Sequence, residues 1–301
     1  VPDFLSHPPP DSFAASLSAL LGTLPASVLL IGAVAFGLII GSFLNVVVHR
    51  VPIMLERAWR ADISELTGQP AGETPTGRYN LWLPRSACPH CAHTLKAWEN
   101  IPLLSYVLLR GRCSHCHARV SLRYPLLELA SALCAVASLL TFGPNGMALA
   151  AFGLCATLLA MSAIDIDTHL LPDSMTLPLL WAGLIVNFNG TFASLPDAVL
   201  GAIAGYLVLW CVHWLFRLVR GIEGMGYGDF KLLAALGAWL GWAALPQIVL
   251  LAAVAGAATG LAATGIGRMR FEEPLPFGPF LATAGAITLF FGTPLYLALG
   301  S

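Results

Sequence analysis

Residues 26–48 read ASVLLIGAVAFGLIIGSFLNVVV, from Ala26 to Val48, with no charged side chain in the run. About 20 apolar residues wound as a helix cross the roughly 30 Å hydrocarbon core of a bilayer, so this stretch predicts a membrane span. Comparable runs recur near 124–142, 147–165, 172–189, 196–219, 230–243, 246–267 and 276–299, the sixth of them short. Composition agrees: of 301 residues, 57% are hydrophobic and 10% charged, whereas a soluble domain carries about a quarter charged residues. The chain therefore reads as an all-α polytopic membrane protein of about eight transmembrane helices. Its net charge of −1 and lack of a basic cluster give no footprint for nucleic acid.

Lys and Arg set the orientation, because loops that stay inside retain them. All basic residues lie between Arg50 and Arg123, except Arg217, Arg220, Lys231, Arg268 and Arg270. Placing 49–123 in the cytoplasm puts 217–231 and 268–275 inside as well. Both termini then face outward. Residues 1–25 hold Pro8, Pro9, Pro10 and Pro25 but no Lys or Arg, so they lack the basic start of a cleavable signal and read as a translocated tail. Residues 61–80, with Gly68, Pro70, Gly72, Pro75 and Gly77, read as a loop.

The segment 49–123 is too small to bury a large core unaided and would gain from a staple. Cys88-Pro89-His90-Cys91 and Cys113-Ser114-His115-Cys116 supply one. Two C-x-x-C pairs in a reducing compartment predict a closed, tetrahedral, structural zinc site with Cys88, Cys91, Cys113 and Cys116 as ligands. His90, His93, His115 and His117 read as bystanders, and Cys134, Cys155 and Cys211 as small core residues.

Ionisable groups at membrane depth are costly and call for an explanation. Three places qualify: Asp165 to Asp173 at the junction of spans three and four, Gly224 to Lys231 at the junction of spans five and six, and Glu128 one turn into span two. The first two lie at the same membrane face. An aspartyl protease needs two carboxylates close enough to share a proton, one activating water and one donating to the scissile carbonyl. Asp229 and either Asp165 or Asp167 fit that need, and spacing alone does not choose between the latter two. The glycines before Asp229 let the backbone approach a substrate strand. Asp173 and Asp197 read instead as helix N-caps.

Gly224-x-Gly226-x-Gly228 does not match the dinucleotide pattern and follows no strand. No H-E-x-x-H or G-x-S-x-G occurs, which leaves aspartate chemistry or no proteolysis. A proton channel or transporter would place carboxylates at the midplane between inverted repeats, and neither feature is visible. A zinc-stapled assembly factor without catalysis is the other alternative.

Several ordered motifs add to these readings: Gly41-Ser42-Phe43-Leu44-Asn45 through His49-Arg50-Val51-Pro52, both C-x-x-C pairs, and Glu99-Asn100-Ile101-Pro102. Arg123-Tyr124-Pro125-Leu126-Leu127-Glu128, the 165–173 segment, Gly226-Tyr227-Gly228-Asp229-Phe230-Lys231 and Pro276-Phe277-Gly278-Pro279 complete the set. Together they resemble the bacterial type IV prepilin peptidases, bifunctional leader peptidases and N-methyltransferases with a G-x-G-D aspartate. The resemblance implies Asp229 as one catalytic residue and selects Asp165 as the other. It implies cleavage of prepilins and type II secretion pseudopilins at the cytoplasmic face of the inner membrane. Methylation of the new N-terminus with S-adenosylmethionine would follow.

It further implies a periplasmic tail at 1–25, a first transmembrane helix at 26–48, a zinc-binding cytoplasmic domain at 49–123 and a seven-helix protease domain at 124–301. Gly41, Asn45, Arg50, Glu99 and Asn100 become the expected neighbourhood of the methyl donor or the leader. Small-residue pairs Gly201 with Gly205 and Gly256 with Gly260 permit close helix contact within one chain or in a homo-oligomer.

Overall fold

A computed structural model describes residues 22–68, 78–221, 225–266 and 275–292. The helices are α1 (Ala26–Thr67), α2 (Leu104–Leu108), α3 (Arg123–Phe142), α4 (Gly146–Thr168), α5 (Asp173–Val186), α6 (Leu195–Arg220), α7 (Tyr227–Leu240), α8 (Leu245–Gly265) and α9 (Gly278–Phe291). Among the described residues a helix lies at each predicted span, and 5 helices are long and apolar enough to cross a membrane. Helices α5, α7 and α9 have only 14 residues each. That is about 21 Å of rise, short of the hydrocarbon thickness. The predicted N-terminal tail to residue 21, loop residues 69–77, Gly224, and the end of span eight from residue 293 lie outside the described residues.

The first helix does not stop at residue 48. It continues for 42 residues, carries Pro52 within it, and ends where Gly68 takes a left-handed φ of 64° and returns its N–H to the Ser64 carbonyl. Residues 61–67 are therefore helical, although their neighbours' glycines and prolines suggested a loop. A sequence such as Glu-Arg-Ala-Trp-Arg-Ala has good helix formers and no breaker, so nothing stops the helix before Gly68.

Two apolar clusters organise the bundle. One joins α1, α3 and α4 through Leu44, Val47, Val48, Leu127, Ala135, Phe152 and Ala160. The other is centred on α7, whose Phe230, Leu232, Leu233, Ala235, Leu236 and Ala238 are fully buried. A helix apolar on every side belongs inside a bundle. Helices α5, α6, α8 and α9 indeed surround α7, so its short length need not match the bilayer.

Lipid tails are as apolar as leucine, so helices in a membrane associate through close packing and internal hydrogen bonds. Glycines make that packing possible here. A Cβ on Gly201 would run into the Gly237 carbonyl oxygen of α7, and one on Gly205 would meet the Leu233 carbonyl oxygen at 2.6 Å. The Gly201–Gly205 pair thus serves an intramolecular contact between α6 and α7. Gly256 makes only ordinary contact with Phe280, and Gly260 faces open space. At the far end of α7, fully buried Asn187 donates to the carbonyls of Ala238 (2.9 Å) and Trp239 (2.8 Å) and accepts from Phe192 and Ala193 N–H groups. This satisfies carbonyls that a helix end otherwise leaves open.

Gly201→Ala should destabilise the detergent-purified protein by about 1–3 kcal/mol through overpacking, and Gly260→Ala should stay within about 0.5 kcal/mol of wild type. Reversible denaturation of the two variants side by side checks this.

Candidate active site and metal centre

Asp165 lies in the last turns of α4 and is 5% exposed, while Asp229 lies in the first turn of α7 and is 7% exposed. Asp229 is thus inside a helix, not in a glycine-rich turn, because α7 starts at Tyr227 with Gly226 as its N-cap. Asp165 Oδ2 accepts the N–H of Gly278, the first residue of α9, at 3.0 Å. Both carboxylates consequently sit at the N-termini of short helices, where the open N–H groups and the macrodipole suit negative charge. Gly278, which binds Asp165, and Gly228, which precedes Asp229, both pack against Leu171, so the two aspartates are carried by one cluster of helix ends.

Leu171 packs against the backbones of Gly228 and Gly278. A Cβ on Gly228 would meet Leu171 Cβ at 2.7 Å, and one on Gly278 would meet Asp165 Oδ2 at 2.6 Å and Leu171 Cδ1 at 3.2 Å. The glycine before Asp229 therefore admits Leu171 and is not an open track for a substrate strand. Gly226 has φ −76°, which any residue can adopt.

The other aspartates have separate employment. Asp167 forms an ion pair with Arg123, and Asp173 accepts Lys231 Nζ at 2.6 and 2.7 Å. These pairs tie α3 to α4 and α5 to α7 at the end of the bundle that holds Asp165 and Asp229. The expected N-cap roles are not filled by Asp173 and Asp197: Pro172 and Ser194 hold those positions. Asp197 instead accepts from the Ser194 hydroxyl (2.5 Å) and from Trp242 Nε1 (3.0 Å).

The four cysteines converge. Cys88 and Cys116 sulfurs are 3.8 Å apart, Cys91 and Cys113 sulfurs 4.0 Å apart, and all four lie within 4.8 Å of one another. A tetrahedron with metal–sulfur bonds of about 2.3 Å has edges of about 3.8 Å, so the cluster is dimensioned to hold a metal ion. Two matching turns build it. In each, the residue after the second cysteine takes positive φ (Ala92, 56°; His117, 58°) and returns its N–H to the first cysteine's carbonyl. Isolated bridges Ala87 to Thr94 and Arg112 to Arg119 close the two loops.

The N–H groups of Cys116 and then His115 hold the Cys113 thiol down to about 6 despite its burial. Cys91 goes the other way: although the His93 N–H favours its thiolate, burial and the three neighbouring sulfurs push it up to about 12. Four sulfurs this close cannot all ionise without a cation among them.

The expected donor-site residues divide. Arg50 and Asn100 line a cleft of about 290 Å³ between α1 and residues 81–102, together with Ser42, Phe43, Trp82 and Pro102. Arg50 also donates to the carbonyls of Asn80 (2.8 Å) and Pro84 (2.5 Å). Gly41 and Asn45 do not line it. A Cβ on Gly41 would meet Glu128 Cα at 2.6 Å, and Asn45 Nδ2 donates to the Tyr124 carbonyl at 3.1 Å, so both hold α1 against α3. Glu99 is a brace of the metal centre: the Lys96 N–H, then the Ser114 hydroxyl, hold its carboxyl below the usual range against the effect of burial. Glu128 lies beneath the cleft, accepting from the Leu103 N–H at 2.8 Å and from Ser42.

Residues 35–142 match the family model described as the Bacterial Peptidase A24 N-terminal domain, and residues 152–261 match the Type IV leader peptidase family. A protein of Burkholderia pseudomallei (strain 1026b) named prepilin leader peptidase/N-methyltransferase is 67% identical over 99% of this chain and 96% of its own length. A protein of the same name from Aeromonas hydrophila is 55% identical over 85% of this chain and 89% of that protein. Another from Pseudomonas aeruginosa is 54% identical over 86% and 89%. No solved structure matches the chain. With both halves matched and relatives this similar along nearly the whole sequence, the chain belongs to the type IV leader peptidase family.

Proposed function

We propose that the chain removes the leader peptides of type IV prepilins and type II secretion pseudopilins with Asp165 and Asp229, and then methylates the exposed N-terminal amine. The observation that carries the peptidase reading is the convergence of two buried aspartates, from α4 and α7, on one cluster of helix ends around Leu171 and Gly278. The names of the relatives supply the substrate class. With one proton between the pair, the ionised carboxylate takes a proton from water as its oxygen attacks the scissile carbonyl carbon. The protonated partner meanwhile hydrogen-bonds the carbonyl oxygen. Collapse of the tetrahedral species then returns a proton to the leaving amine. The Gly278 N–H holds Asp165 in place throughout, and Leu171 packs against the Gly228 and Gly278 backbones.

S-adenosylmethionine, when bound, supplies an electrophilic methyl group. The cleft beside α1 is the place we assign to it: Phe43 and Trp82, with ring centroids 6.1 Å apart, offer an aromatic surface for a purine, and Arg50 and Asn100 offer polar contacts for the amino-acid end. Zinc is the metal we assign to the four cysteines, as a closed thiolate site with no open position is structural. The dyad, cleft and metal centre then all face the cytoplasm, and both chain termini the periplasm.

Asp165→Asn and Asp229→Asn should each reduce leader cleavage at least ~100-fold while the protein still inserts and elutes as wild type. Asp167→Asn should keep most activity, since Asp167 serves an ion pair; mass analysis of the processed pilin reads all three. Trp82→Ala should weaken S-adenosylmethionine binding by about 1–3 kcal/mol, as loss of an aromatic platform does, and should lower methylation with cleavage intact. Calorimetric titration of the donor onto the variant checks the first point independently of turnover. Acid release of the metal, assayed colorimetrically, should yield zinc from wild type and none from a Cys88→Ser, Cys116→Ser double variant.

A further inference from the structure

Helix α2 belongs to neither the carboxylate pair nor the sulfur cluster. Its Leu104, Val107 and Leu108 fall at i, i+3 and i+4, the spacing of a single helix face. They are 51%, 70% and 65% exposed. The opposite side of α2 is committed to protein. The Leu103 N–H donates to Glu128 Oε2 of α3 at 2.8 Å, and Tyr106 Oη donates to the Val120 carbonyl at 3.3 Å. Gly111, with φ +65°, sits so close to Tyr106 that a Cβ would meet its hydroxyl at 2.7 Å. Rotation of α2 to hide its leucines would break these contacts, so its apolar face stays outward.

Leu122 and Leu126, at the start of α3, begin a second exposed apolar face. There Leu129, Leu133 and Leu140 continue it along the membrane-spanning helix. Arg110, just after α2, and Arg112 and Arg119, paired across the following loop, are exposed. An exposed apolar face tied at its start to a membrane-spanning helix and followed by exposed cations has the composition of an interfacial element. Its side chains reach the acyl boundary while the cations meet anionic headgroups.

We propose that α2 docks into the headgroup region of the bilayer, with Leu104, Val107 and Leu108 toward the acyl chains and Arg110, Arg112 and Arg119 on anionic lipid phosphates. The metal-binding module is then held against the membrane surface and does not hang freely from α1 and α3. This needs only the membrane reading of the fold and is independent of the assigned chemistry.

The test places a benzoylphenylalanine photocrosslinker at Val107 or, for comparison, at lipid-facing Leu133 in the full chain. Nanodiscs of phosphatidylethanolamine with phosphatidylglycerol are compared with nanodiscs of phosphatidylcholine alone, and adducts are identified by mass spectrometry. Both positions are exposed, and unchanged gel-filtration elution verifies the fold. The expected result is lipid adducts at 107 in yield comparable to those at 133, with selective loss at 107 when phosphatidylglycerol is removed. Absence of lipid adducts at 107 while 133 still labels would overturn the proposal, as would adducts at 107 to a second protein chain. Equal yield at 107 in both lipid mixtures would overturn the role given to the arginines.

Discussion

A carboxylate in a hydrocarbon layer is tolerated only where protein surrounds it and supplies partners. The hydrogen bond from Gly278 N–H to Asp165 Oδ2 meets that constraint, and much of the surrounding architecture follows from it. It brings the start of α9 to the end of α4. It also requires glycine at 278, because a Cβ there would occupy the carboxylate's own place. Leu171, in the link between α4 and α5, closes the gap toward Gly228, so four helix ends converge on one small volume. The ion pairs Arg123 with Asp167 and Lys231 with Asp173 then cross-brace the exposed rim.

Helix α7 makes the second carboxylate possible. Because Asp229 is on a helix wrapped by four others, its position is fixed by packing along the whole length of α7. Gly201 and Gly205 allow α6 to lie directly on the α7 backbone, and Asn187 ties down the far end. A catalytic group needs its rotamer and backbone held by such a shell. The metal centre is organised independently, by two matching turns braced through Glu99. It joins the bundle through the Leu103 N–H to Glu128 of α3 and through Arg50 of α1, which donates to the Asn80 and Pro84 carbonyls.

The hydropathy runs made the number and order of the helices legible, because length and apolarity are local properties. The four cysteines were legible for the same reason. The contest between Asp165 and Asp167 was not: both stand at the end of one apolar run, and only the helix phase turns Asp165 inward while Asp167 reaches Arg123. Gly278 stood in a quoted motif but its role was not legible, since it acts through its backbone N–H, and Asn187 carried little signal because the partners of its buried amide lie far along the chain. The extension of α1 to Thr67 was missed because hydropathy marks where a helix leaves lipid, not where it ends. Asp173 looked like a cap only while Lys231 was not known to be near. Of the expected donor-site residues, Arg50 and Asn100 share a cleft, while Gly41, Asn45 and Glu99 are engaged in holding elements together.

Leader cleavage by Asp165 and Asp229, as proposed, requires the two to share one proton. The most direct test is the rate of leader cleavage against pH in nanodiscs, on a substrate without titratable groups beside the cut. Sharing requires one carboxylate ionised and one protonated, so the rate should rise and then fall, with two limbs that belong to the pair. A rate that does not change across roughly pH 3 to 7, where carboxylates ordinarily titrate and where burial moves them, would contradict the account.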